Sequence, residues 1–488
     1  MEEEFMRRRK VLGAVSAAVL ILSVALISCD QAAGAASASD TSSTSSSDST
    51  SSSSSSTTVK YYDITNYSVT SETGSVVADG VTQTSYNLSE ESTSFSSGYK
   101  LNKLYVLDVD PSQNSALGIA VGCPSGYVRG LDTTSDMAAY VEANTTYTVL
   151  GGVNGDFFDT ISGGPLGFTM KNGRWLTTGE YVTDGTWSLY SSRSKTSTTY
   201  NCHPGYSFGI KSDGTAIIGI PTVAMTFDSW TGSTQDNDDV EINILNQLRS
   251  DATTSASQPD SAYSARGDNE IVLYTPDYYS STETASGGYE VTFSTDDTVT
   301  SNGTISGTVT AVSADGNATL SSGYMVLSGY GDGATALETL AVGDAIEITV
   351  TVDSAWSDVV DCIGGGRPDG DPLLVSGGAI CAEDSGVAEY SSFYGNNPRT
   401  AVGVRSDGSY FFIVVDGRQS GVSEGATINE LSQFALDLGA DMAINLDGGK
   451  SSTMITATGT SGSYNLINTP ANSGAERSDG NAVYVVSK

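Results

Sequence analysis

Short apolar segments, punctuated by glycine, asparagine, aspartate and serine, set the tightest limit on what this chain can fold into. Ile346, Ile348, Val350 and Val352 alternate with Glu347, Thr349 and Thr351, the period-2 pattern of a half-buried strand. Phe411 to Val415 is apolar without interruption, and Leu104–Val109 and Val483–Val486 read similarly, as strands covered on both faces do. The chain has 54 glycines and 25 tyrosines but only 16% charged residues, which suits turn-rich β structure better than a helical bundle. Helices are few. The clearest begins at Thr427 with Glu430 three residues on, a capping box. Leu431, Phe434, Ala435 and Leu438 supply its apolar stripe, and Gly439 its stop. A second starts at Ser135 and runs through Met137 and Val141. The stretch 240–355 is strand-and-turn throughout and reads as a β-rich insertion. The expected class is α+β, with strand-dominated mixed or antiparallel sheets and few helices.

The N-terminal region reads as an address. Arg7, Arg8, Arg9 and Lys10 precede an apolar run from Val11 to Ile27, the arrangement of a secretory signal. The run ends Leu26-Ile27-Ser28-Cys29, which looks like a bacterial lipobox. Residues 1–28 are therefore expected to be a lipoprotein signal peptide, with Cys29 as the lipidated residue and a membrane as one partner. A plain membrane anchor is the alternative, although the run is shorter than the ~20 residues a span needs. From Ser37 to Thr58 every residue except Ala38, Asp40 and Asp48 is Ser or Thr. Such a segment buries too little apolar surface to offset ordering entropy, so 29–58 is read as a disordered tether and 59–488 as the folded domain. The expected location is extracytoplasmic: periplasm or cell surface. An excess of 57 acidic over 22 basic residues, net −35, leaves no footprint for a nucleic acid. Export permits disulfides; Cys123, Cys202, Cys362 and Cys381 allow three pairings, of which Cys362–Cys381 is the most local.

Four segments set acids, amides or arginine beside glycine-rich turns. They are Asn154-Gly155-Asp156-Phe157-Phe158-Asp159, Pro398-Arg399-Thr400-Ala401-Val402-Gly403, Asp416-Gly417-Arg418, and Asn445-Leu446-Asp447-Gly448-Gly449-Lys450-Ser451-Ser452. A Gly-Gly pair after an acid lets backbone N–H groups converge on an anion, and arginine offers phosphate a planar fork. Taken singly, Asp-Gly and Asn-Gly are foremost turn signals.

Taken in order, these segments resemble the phosphodiester glycosidase family. Further support comes from Glu476-Arg477 before the last apolar strand, from Arg266 with Leu273-Tyr274-Thr275-Pro276, and from Gly364-Gly365-Gly366 before Leu373-Leu374-Val375. The resemblance covers most of the chain from about 100 to 488. One departure is Lys450, which stands where the family usually has a third glycine.

The resemblance implies hydrolysis of a sugar-1-phosphodiester, a glycosidic bond to phosphate, in phosphate-containing glycans such as an exopolysaccharide. It gives Asp447 the carboxylate role. Arg399 and Arg477 would hold phosphate, helped by the amides of Gly448 and Gly449, and Asn154 would orient sugar hydroxyls or the scissile oxygen. Asp416 and Arg418 either join the site or pair with each other; Asp156 and Asp159 are second-choice acids, and Asp159 alternatively caps a turn. The rival reading is a catalytically inactive surface glycan-binding lipoprotein, sustained by Lys450 and the abundant tyrosine. His203 is the only histidine, and no stretch follows the EF-hand spacing, so neither metal nor other cofactor is expected. Serine-hydrolase chemistry would need that same single histidine as its base. The first glycine of a P-loop would fall at Ile444.

Overall fold

The computed structural model describes residues 57–160, 162–178, 187–190, 197–200, 205–247, 270–365, 373–381 and 391–488. The signal peptide, Cys29, nearly all of the tether, Cys202, His203, Arg266 and Gly366 lie outside the described residues.

Ser55–Lys488 form one compact unit, built from four principal sheets. Sheet I has eight strands, in the spatial order Ser68–Ala78, Val81–Glu91, Tyr99–Val109, Tyr410–Val415, Arg399–Val404, Met442–Asn445, Leu373–Ser376, Ala379–Ile380. Sheet II is Tyr464–Leu466, Met454–Ala457, Thr148–Asn154, Ala482–Ser487, Leu117–Gly122. Sheet III is Ala216–Gly219, Ser207–Lys211, Val359–Gly364, Phe168–Lys171, Arg174–Thr178. Sheet IV gathers eight strands between Val223 and Val352. Pairing is antiparallel in all four, apart from Ile244–Leu245 beside Ile271–Tyr274. The class is the expected one, strand-dominated α+β. The alternating segment forms the strand Ala345–Val352 in sheet IV, with Ile346, Ile348, Val350 and Val352 all buried. Sheet IV begins ahead of position 240, because Val223–Thr231 pairs with both Thr234–Ile242 and Ala345–Val352. One short helix lies within that stretch, Asp332–Leu337.

Four helices are described: α1 (Thr134–Asn144), α2 (Asp332–Leu337), α3 (Ser391–Tyr394) and α4 (Ile428–Asp437). They complete the layers. The strand Tyr410–Val415 is buried throughout, and its alternating side chains face two cores. Phe411, Ile413 and Val415 pack with Leu431, Phe434 and Leu438 of the α4 region. Tyr410, Phe412 and Val414 meet sheets II and III through Val153, Val483, Phe208 and Ile363. On the far side of sheet II, α1 packs Met137, Ala138 and Val141 against Tyr484 and Val486.

The capping box of α4 is formed as the sequence suggests. The Thr427 hydroxyl accepts from the Glu430 N–H at 3.2 Å, and Glu430 Oε2 accepts from the Thr427 N–H at 2.7 Å. Burial raises the Glu430 pKa, but Lys100, with its ammonium on the carboxylate, together with the Thr427 N–H and the Tyr67 hydroxyl leaves it lowered. Thr427→Ala removes the cap, and chemical denaturation should show a loss of about 1 kcal/mol.

The disulfide expectation needs correction. Cys123, Cys362 and Cys381 are free thiols. Cys362 is buried in a strand of sheet III, whereas Cys381 is exposed just beyond the last strand of sheet I. Their nearness in sequence does not carry across two different sheets.

Candidate active site

Antiparallel pairing brings three of the motif segments to one end of sheet I. Arg399 opens its strand opposite Val415, the last residue before Asp416, and Ala401 pairs with Asn445, two residues before Asp447. Asn154 ends the neighbouring strand of sheet II, paired with Ala482. At this shared end lies a cleft of about 370 Å³, lined by Phe157, Phe393, Asn397, Arg399, Arg418, Asp447, Gly448 and Gly449.

Asp447 is held from two directions. Its Oδ2 accepts from the Ser451 hydroxyl at 2.7 Å and stands 3.8 Å from Arg477 Nη1. Its backbone carbonyl accepts from Asn154 Nδ2 at 2.7 Å, and its N–H donates to Gly155 O at 3.0 Å. Arg477 Nη1 donates to Ser451 Oγ at 2.9 Å, and the guanidinium carbon lies 4.8 Å from the Phe158 ring centroid. Arg477, Ser451 and Asp447 thus form a chain of donors ending on the carboxylate.

The arginines divide the work differently from expectation. Arg399 lines the cleft, but its Nε donates to Ala426 O at 2.8 Å and its Nη2 to Phe393 O and Gly395 O at 2.5 and 2.7 Å. Those bonds make it the organiser of the loop that carries Phe393 and Asn397. Arg418 does not pair with Asp416. Its Nε and Nη2 bond Asn397 Oδ1 at 3.2 and 2.8 Å, leaving Nη1 for a ligand. Its backbone is left-handed, φ 59°, a strained setting of the kind found at functional sites. Gly449 sits beneath it, also left-handed at φ 66°; a Cβ there would lie 3.3 Å from Arg418 Nη2. A side chain at 449 would have to hold that left-handed backbone and make the Arg418 guanidinium give by a few tenths of an ångström.

Several expected ligand contacts are instead internal. Gly449 N–H donates to Pro398 O at 2.9 Å, so it holds the turn shut and not an anion. Asn154 is fully buried. Its Oδ1 accepts from Thr400 Oγ1 at 2.8 Å and Thr453 N–H at 3.1 Å, which makes it a clasp between the sheets behind Asp447. Asp416 is buried and accepts from Tyr105 OH, Asn468 Nδ2 and the Thr469 N–H; burial raises its pKa against those donors. Asp156 is buried, with Oδ2 on the Gly167 N–H and no partner for Oδ1. Its pKa is pushed well up, by burial first and by Asp447 in addition. Asp159 accepts from the Ser162 N–H at 2.7 Å, the turn-capping alternative. Glu476 also works structurally, receiving the Ser135 N–H and hydroxyl at 2.9 and 2.5 Å at the start of α1.

Two residues of the cleft and one behind it are not evident from the sequence. Asn397 precedes the Pro398-Arg399 motif, Phe393 lies six residues before Arg399, and Ser451, buried behind the lining, sits inside the Asn445–Ser452 motif. Only Ser451 carried a signal, a hydroxyl four residues beyond the key acid.

Lys450 is exposed and lies outside the cleft lining. The bulk that sustained the binding-only reading therefore does not line the cleft. Lys450→Gly should change stability by less than about 0.5 kcal/mol and leave turnover of a diester substrate within about threefold, as a side-by-side rate assay would show.

The fold and site together define a strand-rich α+β protein with an acid-and-arginine cleft where two sheets end. Residues 289–486 match the family model for phosphodiester glycosidase, and the resemblance carried by the motifs is borne out over that stretch. No curated protein matches the chain. Among solved structures, a putative exported protein from Burkholderia pseudomallei aligns with TM-score 0.59 at 18% identity, covering 88% of this chain and 100% of that one. A hypothetical protein from Synechocystis aligns with TM-score 0.56 at 17% identity, covering 83% of this chain; the match spans 62% of that protein's length. Both likenesses concern the fold. The zebrafish N-acetylglucosamine-1-phosphodiester alpha-N-acetylglucosaminidase catalytic domain, auto-inhibited by its pro-peptide, aligns at TM-score 0.39 and 14% identity over 85% of this chain and 87% of that one.

Proposed function

We propose that this chain is an extracytoplasmic hydrolase that cleaves the glycosidic bond to phosphate in sugar-1-phosphodiesters of glycans, held at a membrane through lipidated Cys29. The observation that carries the reading is the Asp447 carboxylate on the wall of a cleft that Arg418 overhangs. Cleavage at an anomeric carbon passes through an oxocarbenium-like transition state, which a nearby carboxylate stabilises. The departing group is a phosphate monoester, a weak base, so protonating it matters less than spreading its charge. Arg418, which lines the cleft, supplies that stabilisation, with Arg477 supporting Asp447 through Ser451 behind it, and preorganised donors contribute ~2.7–4 kcal/mol each. Phe157 and Phe393, with ring centroids 6.5 Å apart, offer apolar faces to the sugar. The local arginines also answer a net charge of −35, which would otherwise repel an anionic substrate.

The test is release of reducing sugar from a panel of sugar-1-phosphodiesters by protein from residue 59 onward, with Asp447→Asn as control. Release lost in the variant supports the reading. Saturable binding without release by either protein overturns it in favour of glycan binding.

A further inference from the structure

Arg477 stands between two carboxylates, and only one of them is satisfied. Its Nη1 faces Ser451 and Asp447, while its Nε lies 3.8 Å from Asp479 Oδ1. The Asp479 side chain is 2% exposed, and neither of its oxygens has a well-formed hydrogen bond, the Ser451 hydroxyl beside it donating to Asp447 instead. A buried carboxylate without donors is costly, and such a group takes up a proton instead. Asp479 belongs to a two-residue strand, Ser478–Asp479, paired with Asp132–Thr133, so Asp132 lies directly across from it. The charged groups around it are Arg477 and Glu476 on its own segment, Asp447 on the motif turn, and Asp132 on the facing strand. Arg477 is the only cation among them. Burial first, and Asp447 next, push the Asp479 pKa well up against the opposing pull of Ser451 and Arg477.

We propose that Asp479 is a positioning residue that controls Arg477 through its own proton. Protonated, it leaves the guanidinium on Ser451 and Asp447. When its proton is lost to solvent, the new carboxylate competes for Nε and draws the guanidinium off the Ser451–Asp447 chain. Asp479 touches no substrate and acts only through Arg477. The inference rests on the reading of Asp447 and Arg477 as the active site, and its tests separate the two.

Asp479→Asn keeps the shape and removes the titration. The first test does not need turnover: the Arg477 Nε–H resonance of 15N-arginine-labelled protein, assigned by its disappearance in Arg477→Lys, is followed against pH. A titrating shift in the wild type that is absent in Asp479→Asn is the expected result; a resonance that ignores pH in both overturns the proposal. Thermal unfolding gives the same answer by linkage. A carboxyl whose folded pKa is raised contributes stability that is complete below the unfolded value near ~3.9 and is lost as pH rises through the folded value. The midpoint advantage of Asp479→Asn over wild type should therefore grow with pH, and a constant difference counts against the proposal. The third test is catalytic. Wild-type kcat/KM for a methyl diester of N-acetylglucosamine-1-phosphate should fall about tenfold per pH unit above one inflection, and the fall should be missing in Asp479→Asn. Identical alkaline limbs overturn the link to catalysis. Absence of wild-type turnover at every pH defeats the active-site reading, and the resonance and unfolding series then still decide whether Asp479 governs Arg477.

Discussion

Asp447→Asn is expected to lower kcat on a sugar-1-phosphodiester by ~10²–10⁴-fold, the range for losing a positioned acid–base or charge-stabilising group. The substitution is close to isosteric, and the turn around it depends on main-chain bonds. Asn154 grips the residue-447 carbonyl, and Gly155 receives its N–H. Neither contact involves the carboxylate, so the site should keep its shape while losing its charge. Stability should not suffer, because Asp447 is one of the charges that raise the pKa of both Asp156 and Asp479. Unfolding midpoints at neutral pH therefore separate a chemical effect from a folding defect. A variant within threefold of the wild-type rate would remove Asp447 from the reaction.

Asn154→Ala is the largest expected structural loss. One buried amide serves the Asp447 carbonyl, the Thr400 hydroxyl and the Thr453 N–H. Deleting it strands three polar groups away from water, at ~1–3 kcal/mol each with imperfect additivity. Urea denaturation should show a loss of roughly 3–5 kcal/mol by the same reasoning. Because the clasp also sets the carbonyl behind Asp447, kcat should fall in the folded fraction more than KM rises. A loss under 1 kcal/mol would mean that water replaces the amide at little cost.

The fold was legible wherever physics is local. Alternation in Ile346–Val352, the uninterrupted Phe411–Val415 run and the Thr427–Glu430 box each follow from neighbours within one element. The acid-Gly-Gly turn and the arginine segments were legible as a set, and they do converge on one end of a sheet. The division of labour among them was not legible, because hydrogen-bond partners lie far apart in sequence. Asn154 reaches partners 293, 246 and 299 residues away. Nothing near Arg418 announces that it turns to Asn397 and not to Asp416 two residues before it. Asp479 is illegible for the opposite reason: an acid two residues after an arginine resembles a solvated surface pair, and only its burial sets it apart.

The central pairing of sheet I has a consequence for how this protein is made. Leu104–Val109, the second half of the strand Tyr99–Val109, pairs residue for residue with Tyr410–Val415. Roughly 300 residues separate Val109 from Tyr410, or ~15–60 s of synthesis at 5–20 residues per second. Throughout that interval Tyr99–Val109 has an open edge, and Leu104 and Val106 have only Ile64, Tyr86 and Leu88 of their eventual core beside them. Closure of so distant a contact is slow, and an unpaired edge invites other chains. The sheet's central edge is thus left open until Tyr410–Val415 has been made.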